Sequence, residues 1–398
     1  MDRKNDARIY FTYALSLGTY WAGVSTIVGF AAPYLQSKGF ASTELGVLVA
    51  AANLISLLLS LELSARTDSA GERAVFTYLF ALLAVQIASM ALLFLCHGGI
   101  IVALAYAALS SSILAGSALY VKLFVTLSKY SSLSGYGKAR ASGSLCYALA
   151  SFAGGAVMKA FPSNMLIVLN VILVLVQLLG LLSLKSRCAI PSLGSAVDGE
   201  KKAVRSRGGT AELLPFLRRN PGFPMLLLGV ALVFMVHNSI TTFMINIVEY
   251  MGGDVSDMGI INGLSILVEI PFMTLCSRID KKHCRTLLML SFAVFAFKIC
   301  ITATARSIPV LFIAFALRAV AFAIYTPAVV DYIASRIPYE DSGKAQGLAA
   351  NVPMLGTMVG SVLFGFMFDH YSVPVILLSF CTAIILGSAA ALIGIRKK

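Results

Sequence analysis

Long apolar runs recur along the whole chain, separated by short polar segments. They fall at about 9–36, 45–65, 74–97, 99–128, 138–160, 165–184, 222–248, 257–277, 284–305, 308–335, 343–368 and 373–395. A helix needs about 20 apolar residues to cross a bilayer, whereas a barrel strand needs only about 10 alternating ones. The pattern therefore predicts an all-α membrane protein with twelve transmembrane helices.

The composition excludes several classes of soluble protein. Of the 398 residues, 59% are hydrophobic and 12% are charged, and the mean hydropathy is +0.87. A soluble domain has about 45–50% apolar and about 25% charged residues. A cytosolic enzyme, a disordered chain and a nucleic-acid-binding module are therefore excluded. The seven cysteines are scattered, and neither a phosphate-binding loop nor a catalytic or metal-binding motif occurs, so we expect no enzyme, cofactor or metal.

The basic residues are distributed asymmetrically. If both termini and every second loop lie on one side, that side holds 25 of the 31 Lys and Arg residues, and the opposite loops hold Lys38, Lys159 and Arg306. Basic loops stay in the cytoplasm, so the asymmetry predicts a multi-pass plasma-membrane protein with cytoplasmic termini. It also explains the net charge of +13 without a nucleic-acid partner.

The two halves of the chain repeat one another. Gly39, Glu44 and Gly46 before the second span match Gly252, Asp257 and Gly259 before the eighth, 213 residues later. A match at 206 residues relates the starts of the fifth and eleventh spans. Duplicated halves of six helices place a central site near the bilayer midplane. We therefore expect a bundle at 1–184, a basic linker at 185–221 and a second bundle at 222–398.

Several motifs resemble those of the major facilitator superfamily. The six-plus-six pattern, the basic middle loop and the Arg66-Thr-Asp68 and Arg278-Ile-Asp280 turns are typical of that superfamily. The segment from Gly137 to Tyr147 is similar to the fifth-span signature of the branch with lactose permease and the phenylpropionate and nucleoside permeases. The resemblance implies two pseudo-symmetric six-helix bundles and a secondary active transporter that works by alternating access.

The same resemblance implies roles for individual residues. Arg140 falls on the family's buried fifth-span arginine, and Tyr147 replaces its sugar-stacking tryptophan. Lys298, Glu269 and His237 match a ninth-span basic residue, an eighth-span carboxylate and a seventh-span histidine. Besides Tyr147, two positions depart from the pattern, because Lys122 stands where lactose permease has a carboxylate and Arg318 where the family has a histidine. These departures argue against galactoside recognition.

Charged residues inside the spans are the strongest candidates for chemistry, because each needs a partner or a water-filled cavity. Glu269, Lys298 and Arg318 lie at similar depth, which predicts one charged cluster in the second half. Glu269 and His237 are the candidates for proton coupling. The candidates for substrate binding are Arg140, Tyr147, Asn238, Lys298, Arg318, Lys122 and Trp21, and those for gating are Arg66, Asp68, Arg278, Asp280 and Asp331. The alternatives are structural: a permanent ion pair for Glu269, snorkelling for the cations and helix packing for the others.

These observations favour proton symport of a small polar or anionic organic solute, such as a sugar, a nucleoside or an aromatic carboxylate. The expected partners are this solute, protons and the lipid bilayer, and we expect a monomer. One alternative is an exporter of drugs or metabolites by proton antiport. Another is a non-transporting membrane receptor or assembly factor, in which Glu269 would only pair helices.

Overall fold

The computed structural model describes residues 3–96, 98–131, 136–187, 213–276 and 279–396. Within these ranges the chain is helical and contains no β-strand. It divides into two compact units, Met1–Glu200 and Lys201–Lys398. Most of the linker predicted at 185–221 lies outside the described residues, so its boundaries stay a prediction.

The described residues of the first unit form seven helices. They are α1 (Arg3–Ile27), α2 (Ala31–Ser37), α3 (Ser42–Ser69), α4 (Ala74–Leu95), α5 (Gly99–Tyr130), α6 (Tyr136–Ala160) and α7 (Asn164–Arg187). The helices coincide with the apolar runs because a backbone in hydrocarbon must satisfy its hydrogen bonds within its own segment. The first run is divided, since α1 and α2 meet at a bend of 50°.

The second unit contains eight helices in the described residues. They are α8 (Leu213–Arg219), α9 (Phe223–Thr242), α10 (Met244–Tyr250), α11 (Val255–Cys276), α12 (Cys284–Thr304), α13 (Ile308–Arg336), α14 (Tyr339–His370) and α15 (Val373–Arg396). Over the described parts of both units, 11 helices are long and apolar enough to span a membrane, and the bent pair α1–α2 makes a twelfth. The prediction of an all-α membrane protein with twelve spans is confirmed.

Both units have the same internal packing. In the first, α1 packs against α6 and α7, and α5 packs against α3 and α4. In the second, α9 packs against α14 and α15, and α13 packs against α11 and α12. In each unit the first span therefore contacts the fifth and sixth, and the fourth contacts the second and third.

The 213-residue repeat has a structural cause at the end of each first span. The short helices α2 and α10 occupy equivalent positions, 213 residues apart. Gly39 and Gly252 follow them with φ of 87° and 80°, a left-handed conformation that glycine adopts without steric cost. Glu44 and Asp257 then each accept a hydrogen bond of 3.0 Å from the backbone N–H three residues earlier. The motif in the sequence is therefore a turn followed by a carboxylate that caps the next helix.

A second pair of equivalent contacts joins the first and fifth spans of each unit. The hydroxyls of Ser25 and Ser151 lie 2.8 Å apart between α1 and α6. The Asn238 amide donates to the Thr357 hydroxyl over 2.6 Å between α9 and α14. Asn238 is 213 residues after Ser25, and Thr357 is 206 residues after Ser151. The residues that form these two hydrogen bonds are therefore related by the same offsets, 213 and 206 residues, that relate the two halves of the sequence.

Candidate functional site

Two basic side chains of the second unit lie near one phenylalanine ring. Lys298 Nζ on α12 lies 5.5 Å from the centroid of Phe315, and the Arg318 guanidinium carbon lies 5.2 Å from the same centroid. Phe315 and Arg318 are three residues apart on α13 and therefore share a face. Lys298 and Phe315 are fully buried, and Arg318 is 9% exposed. The structure thus brings together the two cations that the sequence placed at similar depth.

Arg318 is oriented by hydroxyl groups from two neighbouring helices. Its Nη1 donates to Thr241 Oγ1 on α9 over 2.9 Å, and its Nη2 donates to Ser265 Oγ on α11 over 3.3 Å. Arginine keeps its charge in proteins, so these contacts hold a permanent cation inside the unit.

Lys298 differs from Arg318 in its polar contacts. Among the residues that the structure describes, its ammonium nitrogen has no hydrogen-bond partner, although its solvent exposure is zero. Its neighbours are the Phe315 ring and the packed faces of α12, α13 and α15. An ionised amine in this position lacks the partners that normally compensate for the loss of water.

His237 lies in an aromatic cluster beside these cations. Its ring is 5.2 Å from Phe295, 5.4 Å from Phe234 and 6.0 Å from Phe322, where it stacks at 16°. His237 is 5% exposed, and its Nδ1 has no hydrogen-bond partner in the described part of the chain. The next residue on α9, Asn238, donates the hydrogen bond to Thr357 described above.

Glu269 lies on α11, half-buried and one turn beyond Ser265. Residues four apart occupy one helix face, so Glu269 is on the side of α11 that carries the Ser265 contact to Arg318. Glu269 also takes part in a polar or electrostatic interaction of its own. It remains a candidate member of the charged cluster.

The first unit presents a different pair, an arginine stacked on an indole. The Arg140 guanidinium carbon on α6 lies 3.9 Å from the Trp21 ring centroid on α1, and its Nη1 donates to Ser144 Oγ over 3.0 Å. The Tyr20 ring lies 5.4 Å from the Trp21 ring, edge to face. Gly143 makes the contact possible, because a Cβ atom there would lie 2.6 Å from Trp21 Cδ1. Two predicted site residues far apart in sequence are therefore in contact.

Tyr147 lies about two turns beyond Arg140 on the same helix and is half-buried. It has a polar or electrostatic interaction of its own. Arg140, Ser144 and Tyr147 are spaced by four and three residues, so they form one face of α6. This face provides a cation, a hydroxyl and a phenol beside the Trp21 ring.

Lys122 lies apart from both groups. Its Nζ donates to Asp68 Oδ1 over 2.5 Å and to Thr67 Oγ1 over 2.6 Å. The contact joins α5 to the end of α3, where the sequence predicted a gate. The structure thus groups Lys122 with the gating candidates rather than with the predicted substrate contacts.

Two of the remaining gating candidates make local contacts. Arg66 pairs with Glu62, one turn earlier on α3, at 2.5 Å, and Asp280 pairs with Lys282 at 3.1 Å. Asp331 on α13 is half-buried and has a polar or electrostatic interaction. Arg278 lies outside the described residues.

Two carboxylates outside the spans have perturbed pKa values. A hydrogen bond from the Lys282 backbone N–H, together with the Lys282 ammonium, holds the pKa of the Asp280 carboxyl below its ordinary value. Partial burial alone would raise the pKa of Glu72, but hydrogen bonds from Lys129 and Tyr130 outweigh it, so that pKa is also lowered. The Lys129 contact measures 2.6 Å and ties the loop before α4 to the end of α5. Both groups therefore stay ionised at neutral pH.

Sequence reasoning missed the residues that organise these groups. Phe315 is one apolar residue among many in its span, so no local signal distinguishes it. Thr241 and Ser265 are also ordinary span residues in the sequence, yet they fix the Arg318 guanidinium. Small hydroxyl side chains on apolar helices are a weak signal that a polar group is nearby.

The chain matches a known family model and one curated relative. The model of the MFS_1 like family matches residues 10–379. The uncharacterized transporter YwbF of Bacillus subtilis (strain 168) is 26% identical over 249 residues. That match covers 62% of this chain and 58% of YwbF, so it spans less than two thirds of the relative's length.

Solved structures share the fold at low sequence identity. The nucleoside transporter NupG is 12% identical, with a TM-score of 0.78 and 100% of both chains covered. A bacterial homologue of the human lysosomal transporter Spinster, in an inward-facing and unoccupied conformation, is 14% identical. Its TM-score is 0.68, with 99% of this chain and 95% of that chain covered. At these identities the likeness shows the fold.

Proposed function

The chain belongs to the MFS_1 like family and is a multi-pass membrane transporter rather than an enzyme, and from that premise we propose that it transports a small organic anion by proton-coupled symport. The observation that carries this proposal is the pair of buried basic side chains, Lys298 and Arg318, near the Phe315 ring. In this proposal, transport proceeds by alternating access.

A carboxylate is the solute group that fits these cations best. The Arg318 guanidinium is planar, permanently charged and oriented by Thr241 and Ser265, which suits bidentate recognition of a carboxylate. Lys298 supplies a second donor near the same Phe315 ring. A positive charge on Lys298 beside Arg318 is disfavoured until a bound anion neutralises it.

Aromatic side chains support a solute that also carries a ring. Phe315 and the phenylalanines around His237 form an apolar wall in the second unit, and Trp21 with Arg140 offers a stacking surface in the first. Rings pack against such surfaces through stacking and cation–π contacts. Among the solute classes considered, an aromatic carboxylate therefore ranks first, and nucleosides and sugars follow. His237, Asn238 and Tyr147 are proposed as polar contacts to the solute.

Proton coupling is assigned to Glu269 and His237. Glu269 shares a face of α11 with Ser265, so its charge is felt where Arg318 binds the solute. Glu269 would take up a proton while the solute is bound and release that proton when its ion pair re-forms, so that proton movement would be linked to solute movement. If Glu269→Gln leaves pH-dependent uptake unchanged, this coupling role is wrong.

Gating is assigned to the charged ends of the helices. We include here Arg66, Asp68, Arg278, Asp280 and Asp331, and we add Lys122 because it binds Asp68. Such exposed pairs are weak enough to be broken and re-formed during a transport cycle. Charge-reversal exchange of Lys122 and Asp68 tests whether the pair itself is required.

The plasma membrane is the proposed location, with both termini in the cytoplasm and with the chain acting as a monomer. The excess of basic residues on one side supports this orientation. Labelling of single cysteines placed in the loops, from either side of intact cells, tests it.

Uptake into proteoliposomes tests the function directly. A panel of radiolabelled benzoate, 3-phenylpropionate, uridine and lactose is offered with and without an imposed inward proton gradient. Gradient-stimulated uptake of a carboxylate supports the proposal. Uptake of uridine alone would mean that the solute is a nucleoside instead. Drug efflux driven by the opposite gradient would favour an antiport exporter. No movement of any solute, with Glu269→Gln tolerated, would favour a receptor or assembly factor.

A further inference from the structure

The buried amine of Lys298 is the feature that the proposed cycle leaves unexplained. Its nitrogen has zero exposure and no hydrogen-bond partner among the described residues, yet it lies 5.5 Å from the Phe315 centroid. A charged ammonium removed from water without partners is strongly disfavoured, and such groups exist as the neutral amine instead. The permanent charge of Arg318, which lies near the same ring, disfavours a second positive charge further.

We propose that Lys298 is a proton-binding group of the transport cycle, with its amine neutral in the empty site and protonated when a carboxylate binds. This proposal rests on the function proposed above and names Lys298 as the acceptor of the proton at alkaline pH, where a carboxyl group such as that of Glu269 is ordinarily ionised. The incoming anion supplies the opposite charge and the hydrogen-bond acceptors that the ammonium lacks. Anion binding and protonation therefore favour each other by the same factor.

The groups that face Lys298 come from each helix around it. Arg318 faces it from α13, Cys381 from α15 and His237 from α9, and all three are close enough to interact electrostatically. Arg318 is a fixed cation, so it makes the neutral amine the stable form. The Cys381 thiol donates a hydrogen bond of 3.6 Å to the Ile299 carbonyl oxygen on α12. Neither Arg318 nor Cys381 neutralises an ammonium at Lys298.

The step balances as the uptake of one proton for each bound carboxylate. The amine lone pair takes a proton from water, and the resulting ammonium donates hydrogen bonds to the carboxylate oxygens. For a monocarboxylate, the charge of the proton cancels the charge of the anion. The loaded site therefore has the same net charge as the empty site, and this part of the cycle responds to a pH gradient rather than to membrane potential.

Proton uptake on binding is measured with the purified full-length protein in detergent. Isothermal titration is run at pH 8 in phosphate and in Tris, whose ionisation enthalpies differ, so that the number of protons taken up follows from the difference. The probes are benzoate, 3-phenylpropionate and gluconate, and 3-phenylpropionamide is the neutral control. We expect about one proton per bound carboxylate and none for the amide. We also expect carboxylate affinity to fall about tenfold per pH unit in the alkaline range.

Two substitutions at Lys298 separate proton binding from charge. Lys298→Arg places a permanent cation in the site, so it should bind the anion with no proton uptake and with little dependence on pH. Lys298→Met removes the charge at nearly constant volume, and it should bind about 10- to 100-fold more weakly, also without proton uptake. The methionine variant keeps the test decisive if the larger arginine prevents folding. Lys129→Met is the matched control, because Lys129 pairs with Glu72 outside the proposed site, and it should retain the one-proton uptake.

Each outcome bears on a different proposal. Carboxylate binding with no proton uptake in the unmodified protein, or unchanged uptake in both Lys298 variants, overturns the role of Lys298 and leaves anion transport standing. Failure of all three carboxylates to bind overturns anion recognition, and the role of Lys298 with it. Loss of proton uptake in Glu269→Gln but not in the Lys298 variants assigns the proton to Glu269 alone.

Discussion

Replacing Lys298 by methionine should stabilise the empty protein. The substitution removes a buried amine and keeps an unbranched side chain of similar size. An unsatisfied buried polar group costs about 1–3 kcal/mol, whereas a volume-conserving exchange costs less than about 1.5 kcal/mol. We therefore expect the free energy of unfolding to rise by about 1 kcal/mol. For a unit of about 150–250 residues this corresponds to about 2–4 °C in Tm.

Thermal unfolding of the detergent-solubilised protein at pH 8, followed by circular dichroism, measures this effect. Lys122→Met is the matched control, because the same exchange there removes the donor to Asp68 and Thr67. The control should leave Tm unchanged or lower it, since a partly exposed pair contributes about 0.2–1 kcal/mol. A fall of several degrees in Lys298→Met would show that the amine has a stabilising partner, and the reasoning about its burial would be refuted.

Three further predictions concern packing and surface charge. Gly143→Ala should displace the indole of Trp21, because the new Cβ would lie 2.6 Å from its Cδ1. Solute affinity should therefore fall several-fold in a binding titration, while the far-ultraviolet circular dichroism spectrum stays unchanged. Gly229→Leu should lower Tm by about 2–10 °C, because even a Cβ there would lie 2.5–2.6 Å from atoms of α15 and overpacking costs about 1–3 kcal/mol. An unchanged Tm would mean that α9 and α15 separate easily. Glu72 has a lowered pKa in the folded protein, so its contribution to stability is present above the pKa of the unfolded chain and is lost as the pH falls through the folded value. Glu72→Gln should therefore reduce the loss of Tm between pH 5 and pH 3 and leave Tm at pH 8 lower than in the unmodified protein, whereas an identical pH profile would contradict the contact with Lys129.

Much of the fold follows from one-dimensional patterns. Apolar runs of sufficient length gave the spans, because a chain in hydrocarbon has no alternative to the helix. The 213-residue register gave the duplication, and the structure explains it by the left-handed turns at Gly39 and Gly252 and the carboxylate caps at Glu44 and Asp257. The bend between α1 and α2 was not apparent, since the apolar run continues through it.

The sequence by itself also determined which side chains are candidates for chemistry, because charges inside apolar runs stand out. It gives depth as well, since each helical residue advances by a fixed rise of about 1.5 Å. Rotation of each helix about its axis, and the choice of neighbouring helix, depend on packing between segments distant in the chain. Only the tertiary structure therefore decided that Lys122 contacts Asp68, that Arg140 stacks on Trp21, and that Lys298 and Arg318 lie near the Phe315 ring.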